Sequence, residues 1–98
     1  MSLPITLHRA VQREIDEAAR WYEDQRAGLG RDFLDAIDQV MSDITVNPAR
    51  FGFAKADVRE GAIQRFSYVI YYRVLPDRIR VLAVQHTARD PASWASRN

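Results

Sequence analysis

The sequence contains no cysteine, a single lysine, two histidines and four each of glycine and proline in 98 residues. Without cysteine there is no disulfide framework, thiol nucleophile or zinc-thiolate centre. Only His8 and His86 remain as imidazole donors, so neither a metal site nor a cofactor is expected. No apolar run approaches the ~20 residues that a membrane-spanning helix needs. The segment Met1–Leu7 has neither a basic leader nor a small-residue cleavage site behind a hydrophobic stretch, so the cytoplasm is the expected compartment and no membrane partner is expected. There is no internal repeat, low-complexity tract or linker-like stretch, and the length suits one domain over residues 1–98.

Charge is unevenly placed. Residues 1–49 carry five arginines against nine carboxylates, a balance of −4, while residues 50–98 carry eight arginines and Lys55 against four carboxylates, a balance of +5, which sums to the net +1. Thirteen of the fourteen basic residues are therefore arginine, whose planar fork grips carboxylate or phosphate through two parallel hydrogen bonds.

The hydrophobic period also changes between the halves. From about Arg9 to Ala27, Val11, Ile15, Ala18, Ala19 and Tyr22 fall on one face of a helix. Gly28-Leu29-Gly30 can end that helix and begin another within a few residues. Phe33, Ile37, Val40, Met41 and Ile44 repeat the pattern until Asn47-Pro48, where the residue before proline avoids the α region. So short a connection predicts an antiparallel helix hairpin. Beyond it the period is two: Tyr68, Ile70, Tyr72 and Val74 share one face, with Val69, Tyr71 and Arg73 on the other. Pro76-Asp77 suits a turn, and residues 78–86 resume as a strand apolar on both faces. Lys55 to Arg59 reads as an edge strand and Ile5 to Leu7 as a further short one. Asp90-Pro91 can open a last short helix, with Asp90 as its cap and Trp94 on it. The expected fold class is α+β, a helix hairpin packed on a small, mostly antiparallel sheet in the order β-α-α-β-β-β, with a short C-terminal helix.

Several segments in this order resemble a known family. They are Ala18-Ala19-Arg20-Trp21-Tyr22-Glu23, Gly28-Leu29-Gly30 with Phe33, Asn47-Pro48 with Phe51, Val58-Arg59, residues 66–74, and Val81-Leu82-Ala83-Val84-Gln85-His86 followed by Arg89-Asp90-Pro91 and Trp94. Together they resemble the RelE/ParE superfamily of small toxins from bacterial type II toxin-antitoxin modules. The resemblance covers nearly the whole chain and implies the same element order that the periodicity predicts.

Within that superfamily, RelE-like members are ribosome-dependent endonucleases acting on mRNA, and ParE-like members inhibit DNA gyrase. Cutting RNA through its 2′-hydroxyl needs a base, an acid and a cation on the phosphorane. The resemblance implies that a catalytic arginine of RelE-like toxins falls where this chain has Val69, which can neither donate a hydrogen bond nor neutralise charge. Some relatives instead combine a Glu, an Arg and a C-terminal His, which would make Glu60, Arg65 and His86 an alternative catalytic set. The first reading is thus a ParE-like plasmid-stabilisation toxin that binds gyrase without chemistry of its own, with Arg59, Arg65, Arg73, His86, Arg89 and Trp94 as binding groups. The alternatives are an mRNA endoribonuclease acting on the ribosome, and a toxin-like interaction module that has lost activity. An antitoxin partner is implied in the toxin readings, and an acidic tail on it would suit the basic half of the chain. Arg59, Arg65, Arg73 and Arg89 are accordingly expected in one contiguous positive region.

Structural roles compete at each position. His86 can simply cap a loop, Arg73 can pair with Asp77 or Glu60, and Trp94 can anchor the tail. Tyr68, Tyr71 and Tyr72 can stack on bases or pack half-buried in the sheet. Trp21 and Tyr22 are expected as packing residues.

Overall fold

The computed structural model describes residues 2–98. Strand β1 (Ile5–Leu7) leads into helix α1 (Val11–Gln25) and helix α2 (Leu29–Val46). A 3-10 turn (Pro48–Arg50) and strands β2 (Phe53–Lys55), β3 (Val58–Ala62), β4 (Tyr68–Val74) and β5 (Ile79–His86) follow, and a second 3-10 turn spans Pro91–Ser93. The spatial order is β1-β5-β4-β3-β2, antiparallel except for β1, which runs parallel to β5. The α+β class and the helix hairpin on a mostly antiparallel sheet are as the sequence predicts.

Two boundaries differ. The edge strand expected at Lys55 to Arg59 is the turn of a hairpin: Ala56 takes φ 51°, and the chain reverses between β2 and β3, which adds one strand to the predicted order. The closing helix is a single 3-10 turn, begun as expected by Asp90, whose side chain accepts from the Ala92 N–H at 2.9 Å.

The helix hairpin is held by its own residues. Gly28 supplies the left-handed φ of 89° that reverses the chain. The Glu23 carboxylate of α1 accepts from the N–H groups of Gly28 and Gly30, both at 3.0 Å, which satisfies two donors at the α2 N-terminus and places a negative charge at its positive end. A Cβ at Gly30 would stand 2.7 Å from the Ala19 carbonyl, so the two helices meet there at a distance only glycine permits.

Two apolar layers lie on opposite faces of the sheet. On one, Val11, Ile15 and Ala18 of α1 and Phe33, Ile37, Val40 and Ile44 of α2 pack on Ile70, Tyr72, Ile79, Val81 and Val84. On the other, Val58, Val69, Tyr71, Leu82 and Ala83 are covered by Trp94, which is 1% exposed and stacks on Tyr71 with ring centroids 4.3 Å apart. Alternation along β4 sorts its residues between the layers as the period of two predicts. Opposite the Tyr71–Tyr72 step, β5 carries an extra residue, Leu82, so that Leu82 and Ala83 both fall in the layer beneath the tail.

Candidate functional site

The register does not bring the four arginines onto one surface. Arg59 pairs across with Tyr72, on the helix face, and donates through Nη1 to the carbonyls of Ala49 and Phe51 while lying 4.0 Å over the Phe53 ring. Arg73 pairs across with Arg80 on the opposite face and bridges Asp57 at 2.9 Å, a partner that neither Asp77 nor Glu60 provides. Arg65 stands in the β3–β4 turn, 3.6 Å from Asp32 of α2. Arg89 follows β5, beside the start of β4, roughly 17 Å along the strand from Arg73 at ~3.3 Å per residue. The expectation of one contiguous positive region is therefore corrected. Part of the charge asymmetry is absorbed internally, because Arg65, Arg50 and Arg97 of the second half pair with Asp32, Asp43 and Glu14 of the first.

The three residues of the alternative catalytic set are likewise apart. Glu60 pairs with Tyr71 on the tail-covered face and lines a hollow with Asp90 and Trp94. Arg65 is held at the α2 N-terminus, and His86 lies at the end of β5 on the helix side. Val69 is buried beneath the tail.

His86 and Arg89 do share a site. With Trp21, Tyr22, Tyr68 and Glu17 they line a cleft of about 550 Å³ between α1 and the end of β5, the largest of the hollows described among these residues. The hydroxyls of Tyr22 and Tyr68 are pushed above the usual tyrosine range, chiefly by burial and for Tyr68 also by its neighbour Tyr22, so they stay protonated at neutral pH and cannot act as general bases. His86 packs edge-on to Tyr68 at 5.5 Å, and its Nδ1 accepts from the Ala88 N–H at 3.0 Å. That bond caps the loop, as one sequence reading allowed, and leaves the proton of the neutral ring on Nε2. Arg89 forms no ion pair among the described residues and is exposed.

Sequence reasoning missed Trp21 as part of this site. It is 57% exposed and touches Tyr22 edge-on at 5.1 Å, while Tyr22 turns inward against Phe33 and Phe66. The signal was present: Trp21 stands one position off the apolar stripe that ends at Tyr22, and a step of 100° takes it out of the core.

Also missed was Glu14, which is nearly buried beside the cleft. Its carboxylate accepts from the Val84 N–H at 3.1 Å, from Gln85 Nε2 at 2.7 Å and from Arg97 Nη1 at 3.1 Å, and Arg97 donates to the Leu82 carbonyl at 3.0 Å. Gln85 in turn accepts from the Ser93 hydroxyl at 2.6 Å, so one network ties α1, β5 and the tail together. Among the described residues no group of three His, Cys, Asp or Glu could hold a metal ion, and no helix is long and apolar enough to cross a membrane.

Comparison with known proteins bears on this arrangement. A family model described as the ParE toxin of the type II toxin-antitoxin system, parDE, matches residues 5–91. A solved structure titled "Chromosomal ParDE TA system from P. aeruginosa" superposes with a TM-score of 0.66 at 16% identity, over 86% of this chain and 95% of that one. No curated protein matches.

Proposed function

Because this chain belongs to the ParE toxin family of type II toxin-antitoxin systems, we propose that it acts by holding a protein target, DNA gyrase, and not by cutting RNA. The observation that carries this reading is the dispersal of the groups that cutting would need. Val69 is a buried hydrocarbon, and Glu60, Arg65 and His86 stand at three separate places. General acid-base catalysis requires both groups within hydrogen-bond reach of one substrate, and no pair of the three meets that condition across one cleft. The tyrosines of the cleft stay protonated, which removes them as bases.

Of the six binding candidates, His86, Arg89 and Arg65 are exposed and open to a target. Arg59, Arg73 and Trp94 are engaged within the fold and act by supporting it. An antitoxin neutralises the protein, the pair serves stabilisation of a replicon such as a plasmid, and the cytoplasm, where gyrase works, is the site of action. Purified protein assayed for gyrase supercoiling inhibition, and in parallel for mRNA cleavage in a translating extract, tests this. Inhibition that weakens in His86→Ala and Arg89→Ala, without cleavage, is expected. Cleavage abolished by His86→Ala, with gyrase untouched, would overturn it, and inactivity in both assays would favour the module without toxicity.

A further inference from the structure

The cleft between α1 and the end of β5 carries opposite charges on its two sides. On the α1 rim stands Glu17, whose partner Arg13 is 3.9 Å away in a pair largely exposed at both ends. On the β5 side stands Arg89, exposed and without a carboxylate partner among the described residues. The remaining carboxylate of the walls, Glu14, is already balanced by Arg97 at 3.1 Å. One carboxylate and one guanidinium are thus left to face a ligand. The Tyr68 hydroxyl senses both: burial and Tyr22 raise its pKa, Arg89 draws it down and Glu17 pushes it up. Beside Arg89 there is a further donor. The Thr87 N–H bonds to the Ser67 carbonyl, so alternation turns the His86 N–H away from β4, beyond the point where β1 stops pairing with β5 at Val81. Between the charges lie the faces of Tyr68 and of Trp21, which is 57% exposed. The volume of about 550 Å³ falls within the roughly 300–1,000 Å³ of small-molecule sites.

We propose that the cleft binds a free amino acid with a large apolar side chain, its carboxylate on Arg89 and the His86 N–H, its ammonium on Glu17, and its side chain against Trp21 and Tyr68. The balance of charge selects this class. A simple anion gains the arginine fork but meets Glu17, and a simple cation gains Glu17 and the aromatic faces but meets Arg89. A zwitterion satisfies both groups and leaves no net charge behind. An internal residue of a peptide carries neither terminal charge and so lacks both anchors. In a cleft partly screened from water each charge pair is stronger than on an open surface, and an aromatic side chain adds edge or offset stacking on the indole. A bound amino acid covers His86 and Arg89, so ligand and protein target exclude one another. That competition rests on the reading of the protein as a target-holding toxin; the binding itself does not.

The test titrates the nitrogen-15-labelled protein with L-phenylalanine and follows its amide and indole signals. Saturable shifts of the Trp21 indole and the His86 amide are expected at low millimolar concentration, while the indole of buried Trp94 stays in place. 2-Phenylethylamine, which lacks the carboxylate, and 3-phenylpropionate, which lacks the amine, are each expected to bind at least about fivefold more weakly. Arg89→Gln should erase the advantage of phenylalanine over phenylethylamine, and Glu17→Gln its advantage over phenylpropionate. Both side chains are exposed, so folding is retained. The proposal is overturned if phenylalanine fails to saturate these signals by about 20 mM, if either analogue binds as tightly as phenylalanine, or if the variants keep the parent's preferences. Supercoiling inhibition by the free protein is measured with and without phenylalanine, and relief of inhibition is expected. Inhibition that persists with the cleft saturated overturns the competition, whereas cleft binding by a protein that never inhibits gyrase refutes only the gyrase reading.

Discussion

Removing Arg97 probes whether the tail is held by charge or only by its tryptophan. The Glu14–Arg97 pair keeps 13% and 18% of its side-chain exposure, whereas the Arg13–Glu17 pair on the outer face of α1 keeps 64% or more and spans 3.9 Å. Breaking a buried pair costs about 3–5 kcal/mol, and hydrogen bonds to charged groups are individually worth about 1.5–3 kcal/mol. In Arg97→Ala the Glu14 carboxylate keeps the Val84 N–H and the Gln85 amide, so the loss falls short of a fully orphaned charge. About 2 kcal/mol is expected, or roughly 10 °C in Tm for a domain of about 100 residues. Glu14→Ala strands three donors, two on β5 and one in the C-terminal tail, and about 3 kcal/mol is expected. Urea denaturation of both single variants and the double variant gives the coupling, expected at about 1 kcal/mol or more, while Arg13→Ala should move stability by less than about 0.5 kcal/mol. If Arg97→Ala lies within about 0.5 kcal/mol of the parent, or the cycle shows no coupling, the network is not what fixes the tail.

Trp94→Ala should cost about 3–5 kcal/mol in a urea titration and Trp94→Phe only about 1 kcal/mol, since most of the buried ring area survives. The indole Nε1 is buried without a partner of good geometry, although the Tyr71 hydroxyl lies near enough to feel it, so little hydrogen bonding is lost with it. If Trp94→Phe proves as damaging as Trp94→Ala, the stacking account of the tail fails. Gly30→Ala drives a methyl toward the Ala19 carbonyl and should destabilise by about 1–3 kcal/mol; a neutral result in thermal melts would show that the helix contact is loose. His8 accepts from the Ala10 N–H through Nδ1, and burial, aided by Arg97, Arg80 and Arg9 and opposed by Glu14, pulls its pKa below the ordinary value. The unfolded chain therefore protonates first, so this contribution is present above about pH 6.5 and is lost as pH falls through that value toward the folded-state one. His8→Asn keeps an acceptor without the titration, and its urea midpoint should fall less between pH 7.5 and pH 5 than the parent's; parallel profiles would refute the assignment.

What was legible in the sequence is what a period can carry. The stripe from Val11 to Tyr22, its repeat from Phe33 to Ile44 and the alternation from Tyr68 to Val74 each follow from a single repeat length, and each lies where predicted. The turn at Ala56 was hidden because no glycine, proline or asparagine marks it, although an alanine there takes a positive φ. The site was only half legible for a related reason. His86 and Arg89 are three positions apart, and their shared cleft follows from the end of one strand. Glu14 reaches its partners across 70, 71 and 83 positions, a separation that no local pattern encodes. Its position predicted nothing special either, since an acidic residue in the first turn of a helix is ordinary at the positive end of the helix dipole. What distinguishes it is that β1 stops after three residues, leaving the rest of β5 without a neighbour and a carboxylate in the place of one. The four arginines fail as a patch for the same reason. A sum over the chain counts charge, but strand register assigns each guanidinium a face, and the helix carboxylates opposite neutralise part of the total before any partner arrives.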